Sequence, residues 1–411
     1  MTVLAPQLLA DIESQREAIL DFTTDLIATP SPTPPGDETA VAALVSERLG
    51  QLGLRDARIV GPSATRSSVL WRSAGGRPGP RIALNGHIDT KPIGDPIHWR
   101  TDPLVATIVD GEMYGLGSSD MKAAVAAMVY AAAAFERLHP DHGGQLGLVL
   151  TADEEGGMGS GAHWLLDNGL IDYDAIIIGE PSGIRTSWEQ LDVVSRGFTA
   201  FRVMVGGTQM HSSLTDVMPN RNASVLLAGV LSRFRSELEL PYDPHPYCPQ
   251  GVTVNPGVTL KGGVFYGVNP GRAEFGVDIR IPPGLTKADV QAAMDRFVET
   301  MKAGDPDLEI TWAFENPPLD WIPPTEIPAD HMLVEAARRA SLAVLGREPP
   351  LGAFPGGTEA AVYHGRGGIP VLPALGPGYL PVCHGPNEHV EVESIIEAAK
   401  IYALMLEELL P

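Results

Sequence analysis

An α/β fold is predicted, with a mixed, mostly parallel sheet, helices on both of its faces, and a smaller unit inserted into it. Three features of the sequence predict it. Strand-like apolar runs alternate with helical periodicity from the N-terminus to Glu180, the order expected of a parallel sheet. From Ser195 onward the order becomes βαββαβ, the ferredoxin-like unit. After Pro317-Pro318 and Pro323-Pro324 the αβ alternation resumes. The expected division is a first domain over 1–194 and 316–411 and an inserted one over 195–315.

Taken in order, Pro6 to Ile27 carries Leu8, Leu9, Ile12, Ile19, Leu20, Phe22 and Leu26 in a helical rhythm. The prolines after Thr29 end it, because proline has no N–H to give to a helix. A second amphipathic helix spans Thr39 to Leu52, followed by strands at Ala57–Val60 and Ser68–Trp71. Next comes the stretch that organises the chain, Arg81-Ile-Ala-Leu-Asn-Gly-His87-Ile-Asp89-Thr90, a buried strand in which period-two spacing puts His87 and Asp89 on one face. Beyond a loop with His98, Trp99 and Arg100, a hairpin turns at Asp110-Gly111. Gly115-Leu-Gly-Ser-Ser-Asp120-Met-Lys122 then delivers a carboxylate at the mouth of an alanine-rich helix, Ala123 to Phe135.

Leu146–Leu150 is another strand, ending in Thr151-Ala-Asp153-Glu154-Glu155, and Ala175–Ile178 is closed by Gly179-Glu180. In the insertion, strands are expected at Gly197–Gly206, Gly251–Leu260, Arg272–Ile281 and Leu308–Phe314, with helices at Arg221–Glu237 and Lys287–Met301. The return contains a helix at His331–Leu345, a strand at Pro370–Leu375 and a closing helix at Val392–Leu410. Cys383-His384-Gly-Pro-Asn-Glu388-His389 precedes that last helix.

Of the 411 residues, 44% are hydrophobic and 19% charged, an ordinary globular composition that excludes a disordered chain. The formal charge of −22 argues against nucleic acid or an anionic membrane surface as partner. No run approaches the ~18 apolar residues of a membrane span, and no basic segment followed by an apolar one opens the chain. Cys248 and Cys383, far apart, fit a reducing compartment, so a cytoplasmic location is expected.

The recurring pattern is a strand, an acid or imidazole at its carboxyl end, then glycine, and in an open α/β sheet those ends border one crevice. His87, Asp120, Glu155, Glu180 and His384 offer two imidazoles and three carboxylates, a donor set for one or two zinc-like ions that cobalt or manganese also accept. If Asp120 bridges, each ion has one histidine, the shared carboxylate and one glutamate. Two ions roughly 3.5–4 Å apart lower the pKa of a water between them towards about 7. Neighbouring Glu154 and Glu155 cannot face one ion with equal geometry, so Glu154 is the expected general base. Asp89 is placed to accept the other ring N–H of His87. The remaining histidines, His98 and His389 among them, read as surface or hydrogen-bonded residues.

In combination and in this order, GHIDT, GSSDMK, DEEGG, IGEPS, Gly356-Gly357-Thr358-Glu359 and the late His384 resemble a known family. It is that of the zinc-dependent metallopeptidases and amidohydrolases, with acetylornithine deacetylase, succinyl-diaminopimelate desuccinylase, glutamate-releasing carboxypeptidase and aminoacylase. The resemblance runs from Pro30 to Asn387. It implies His87, Asp120 and Glu180 on one zinc and Asp120, Glu155 and His384 on the other, with Glu154 as base and Asp89 behind His87. It also implies that the insertion forms a homodimer and that His211 reaches a neighbouring subunit's site to stabilise an oxyanion. Arg280 with Gly356, Gly357 and Thr358 resemble the groups that hold a substrate carboxylate.

Where many relatives carry Asn-Val-Ile-Pro this chain has Gly267-Val268-Asn269-Pro270, so Asn269 replaces the usual asparagine only in part. Plainer readings stand beside these, His211 as a surface turn histidine and Arg280 as part of a structural ion pair. The expected activity is cleavage of an N-acyl amino acid or related small amide bearing a carboxylate. A carboxypeptidase or dipeptidase is the first alternative, and a catalytically silent ligand-binding homologue the second.

Overall fold

The strand Arg77–His87 lies inside a six-stranded sheet, flanked by Gly143–Thr151 on one side and Ala175–Ile178 on the other, both parallel to it. Val371–Leu372 adds a fourth parallel strand beyond Ala175–Ile178, while Ser68–Arg72 and Arg58–Val60 close the opposite edge antiparallel. Ile82, Ala83 and Leu84 are all buried, which is why this strand reads as a continuous apolar run rather than an alternating one. The computed structural model describes residues 5–411.

One face of the sheet receives the helix Ala123–Leu138, buried at every position from Ala123 to Phe135. Its alanines let it lie close against the sheet while the closing helix, Val392–Leu409, packs on its other side. On the opposite face Ala162, Leu165, Ala360 and Tyr363 close against Ala83, Val149, Ile176 and Ile178. The sheet is thus covered on both sides, as expected of this fold class. The opening helix differs from the expectation. It is two helices, Ala5–Ser14 and Arg16–Ile27, because the backbone of Gln15 leaves the helical region (φ −101°, ψ 11°).

Two compact units result. The first takes the chain up to Ser195 with Thr325–Phe354 and Thr358–Pro411, and the second takes Arg196–Pro324 with Pro355–Gly357. The second is an antiparallel sheet in the order Thr253–Gly262, Arg272–Ile281, Gly197–Gly206, Ile310–Phe314, with helices Ala223–Glu237 and Lys287–Gly304. Its return to the first unit falls at Pro324, later than the proline pairs had suggested. Residues 316–324 stay with the second unit because Phe198 and Ile322 exchange both main-chain hydrogen bonds (2.9 and 2.8 Å) and Ala200 N–H donates to the Leu319 carbonyl at 2.8 Å. Proline removes donors from a segment but leaves its carbonyls able to accept.

The core of the second unit is aromatic. Phe234 is fully buried with its ring 4.9 Å from Phe297, 5.5 Å from Phe275 and 6.2 Å from Phe201. Replacing Phe234 by alanine is expected to cost about 3–5 kcal/mol, through lost burial and the cavity left behind. Urea unfolding followed by circular dichroism measures it, and a loss under 1 kcal/mol would mean that this cluster does not hold the unit together.

Candidate metal centre

Register places the site. His87 pairs with Thr151 and Asn85 with Ile178, so three neighbouring parallel strands end almost level. The residues just beyond these strands, namely Ile88-Asp89, Glu154-Glu155 and Glu180, reach the same edge of the sheet. Asp120 arrives from a turn that needs glycine at 117, where φ is +77° and a Cβ would lie 2.6 Å from Thr90 Cγ2. His384 comes from the far end of the chain in a loop where its own φ is +62°.

The two oxygens of Asp120 face different imidazoles. Oδ1 lies 2.8 Å from His87 Nε2, and Oδ2 lies 3.1 Å from His384 Nε2. His87 Nε2 is also 3.8 Å from Glu180 Oε1, and His384 Nε2 is 3.1 Å from Glu155 Oε1. Donor atoms of His87, Asp120 and Glu155 lie within 4.8 Å of one another, and so do those of His87, Glu154 and Glu180. The five residues picked out at strand ends are therefore brought together, with Glu154 beside the His87 half.

Burial here works against the acids. It pushes Glu154 and Glu180 well above the usual carboxylate range, and neighbouring carboxylates add to the effect. Burial also opposes protonation of the imidazoles, but Asp120 overrides it at His87, and Asp120 with Glu155 holds His384 up to about 10. Asp120 is the exception among the acids, since hydrogen bonds from His384 and His87 outweigh its burial and hold it below the usual range. Lys91 adds one cation, its Nζ 3.0 Å from Glu155 Oε2 and bonded to the Glu155 main-chain carbonyl.

This donor set fits divalent cations. Two imidazole nitrogens converge with carboxylate oxygens, His87 from the buried side and His384 from the exposed one, and Glu155 Oε1 has no well-angled hydrogen-bond donor although His384 is close. His87, Asp120 and Glu155 form one group that could hold an ion, and His87, Glu154 and Glu180 another. In the absence of ions, the neighbouring carboxylates favour the protonated form of both imidazoles, and Lys91 adds its charge beside Glu155.

Asp89 does something other than expected. The acceptor for His87 Nδ1–H is the Asp89 main-chain carbonyl at 3.0 Å, while its carboxylate Oδ1 stands 3.6 Å away, beyond hydrogen-bond reach. The carboxylate instead accepts the N–H groups of Glu154 (3.1 Å) and Glu155 (3.2 Å), so it sets the pose of the double-glutamate turn. Burial raises it to about 7.

The remaining expected residues lie mostly in the second unit. His211 is exposed, and its Nδ1 accepts the Ser213 N–H at 3.3 Å. Asn269 is buried with its amide nitrogen donating to the Thr208 and Arg221 carbonyls. The Arg280 guanidinium sits 4.9 Å from the centre of the Phe198 ring. Gly356 and Gly357 also belong to this unit. Thr358, in the first unit, is fully buried, its hydroxyl 3.4 Å from Ser195 Oγ and accepting the Ala360 N–H.

The sequence pattern does not single out Lys91, and it includes Glu359 in a motif without giving it a role. Glu359 is buried, accepts from the Thr151 hydroxyl at 2.9 Å, and is raised by burial to about 7. Its signal is its place at the end of the Gly356-Gly357-Thr358-Glu359 motif.

Comparison with known proteins agrees with this geometry. The model of peptidase family M20/M25/M40 matches residues 83–408, and the chain belongs to that family. It is accordingly a metal-dependent hydrolase acting on amide bonds. A metallo-carboxypeptidase from Sulfolobus solfataricus is similar to it with a TM-score of 0.75 and 18% identity, covering 95% of this chain and 98% of that one. A di-peptidase from Saccharomyces cerevisiae gives 0.76 and 15% over 99% of both chains. A dinuclear metal-binding peptidase from Bacillus subtilis gives 0.67 and 17%, covering 96% and 98%. At these identities the likeness is one of fold. No described helix is long and apolar enough to cross a membrane.

The pKa shifts predict how pH acts on the metal-free protein. Groups raised on folding bind more protons in the native than in the unfolded state, so stability falls as pH rises. The contribution of His384 is complete below its unfolded pKa of ~6.5 and is lost as pH passes about 10. Those of Asp89 and Glu359 are complete below ~4 and are lost as pH passes about 7. Asp120 acts in the opposite sense in acid, and Lys122, lowered by burial to about 7, does so above neutrality. Saturating zinc should reverse the slope near neutrality, because binding requires deprotonated ligands. Calorimetric melting against pH, with zinc and with chelator, checks this, and identical slopes would contradict it.

Proposed function

We propose that the chain hydrolyses the amide bond of an N-acyl amino acid, or a related small amide bearing a carboxylate, as the deacylase and desuccinylase members of its family do. The observation that carries this reading is Asp120 presenting one oxygen to the His87 side and the other to the His384 side, as the shared ligand of a cation pair must. Zinc is the expected metal, with cobalt or manganese as substitutes. When bound, the ions supply Lewis acidity and lower the pKa of water towards about 7. Glu154, drawn beside His87 and Glu180, takes the proton of the attacking water and returns it to the departing amine nitrogen. Asp89 keeps that base in place through the N–H groups it accepts. The products are the carboxylate of the acyl group and the freed amine.

Several features of the second unit support its assigned part. Accepting the Ser213 N–H at Nδ1 puts the proton of neutral His211 on Nε2, a donor suited to a tetrahedral oxyanion. Arg280 offers a guanidinium for a substrate carboxylate, with Gly356 and Gly357 as close-approach backbone. With its amide nitrogen engaged, Asn269 keeps only its carbonyl oxygen for substrate, and buried Thr358 acts by capping the segment behind the glycines. Homodimerisation through this unit is favoured by its edge strand Thr253–Gly262, where Val258 and Leu260 are exposed, and by exposed Val225 on the helix Ala223–Glu237. A cytoplasmic site of action accords with two cysteines, neither of them in a disulfide.

The carboxypeptidase and di-peptidase relatives favour a second reading, cleavage of short peptides by the same groups. A panel of N-acyl amino acids and dipeptides assayed with the zinc-loaded protein separates the two. The deacylase reading predicts the higher kcat/KM on acyl amino acids, and turnover of peptides alone would sink it. Glu154→Gln should lower kcat by about 10²–10⁴-fold with zinc content unchanged by elemental analysis. Activity within tenfold of the parent would remove Glu154 from the base role.

A further inference from the structure

We propose that Glu388 is a positioning residue that ties the turn carrying Asp120 to the loop carrying His384, setting the two halves of the metal centre before any cation binds. This deepens the dinuclear reading and rests on it.

Glu388 is 2% exposed, and no side chain donates to its carboxylate in the described contacts. Its donors are three main-chain N–H groups of one turn. Oε2 accepts from Gly117 at 3.0 Å, and Oε1 accepts from Ser119 at 3.0 Å and from Asp120 at 2.9 Å. The main-chain carbonyl of Glu388 accepts the Gly115 N–H at 3.0 Å as well. A concave run of N–H groups cradles acceptor oxygens, and here the carboxyl group that fills it is built into the chain.

The other side chains of this short segment point elsewhere. His384 meets Asp120 and Glu155, while Asn387 accepts the Arg100 N–H at 2.7 Å and donates to the His98 carbonyl at 3.1 Å. One loop therefore fixes a ligand, the turn of the shared ligand, and the 98–100 loop. The Ser119 hydroxyl adds a second tie by accepting the Tyr379 N–H at 2.7 Å.

The chemistry requires a carboxylate. Three donors converge and each must find a lone pair. A glutamine would turn an NH2 group onto at least one of those N–H groups. Because the N–H of Asp120 itself is one of the three, loosening the cradle moves the one ligand that both ions share, and both affinities fall together.

The experiment compares Glu388→Gln and Glu388→Ala with the parent, all stripped with chelator and titrated with zinc against a chromophoric competitor. Leu165→Ala, a core truncation away from the cradle, serves as the stability control, with melting temperatures recorded for each. We expect the Glu388 variants to lose about 10–100-fold in affinity for both ions, as when groups supporting metal ligands are removed, and the control to lose none. Parental affinity in the Glu388 variants, or a loss matched by the control, overturns the proposal. If neither Glu388 variant folds, amide exchange in the metal-free parent decides. Protected Gly117, Ser119 and Asp120 N–H groups support the cradle, and exchange at free-peptide rates overturns it. A parent that takes up fewer than two zinc ions overturns the dinuclear reading instead, and amide exchange still judges the cradle.

Discussion

Like charges held close together in a buried space are the constraint on which this protein is built. Asp120, Glu154, Glu155 and Glu180 crowd around buried His87, with His384 closing the group from its exposed side, and such a group is stable only with positive charge among its members. Protons on His87 and His384 meet that need in one state, and divalent cations meet it in the other. The fold brings the acids together by ending three parallel strands at one level, then adds a turn and a late loop.

The cost of gathering these groups is met by rigidity around them. The helix that begins beyond Asp120 is buried along most of its length, and the sheet beneath is covered on both faces. Main-chain groups do much of the orienting, with the Asp89 carbonyl turning His87 and the Asp89 carboxylate holding the Glu154-Glu155 turn. Supporting groups held by packing and main-chain hydrogen bonds are what a catalytic site needs to keep its side chains in place.

Much of this was legible in the sequence, and the limits are physical. Strands ending in His87, Glu154-Glu155 and Glu180 announce themselves because an apolar run that stops in an acid or imidazole has few structural reasons to do so. The six-stranded sheet and the βαββαβ order follow from periodicity alone. The role of Asp89 was not legible, because a period-two pattern puts its side chain on the same face as His87 but cannot say whether carboxylate or carbonyl meets the ring. The prolines between 317 and 324 read as a linker, although their segment pairs with the strand from Gly197 through its carbonyls and the N–H of Ile322. Glu388 stayed hidden because its partners are peptide N–H groups more than 260 residues earlier, which carry no side-chain signal.

The central claim is that Asp120 is shared by two cations. Anomalous diffraction from zinc-loaded crystals tests it most directly. Two zinc peaks roughly 3.5–4 Å apart are predicted, one beside Asp120 Oδ1 with His87 and Glu180, the other beside Oδ2 with Glu155 and His384. A single peak, or two that lie on one side of the Asp120 carboxylate, would contradict it.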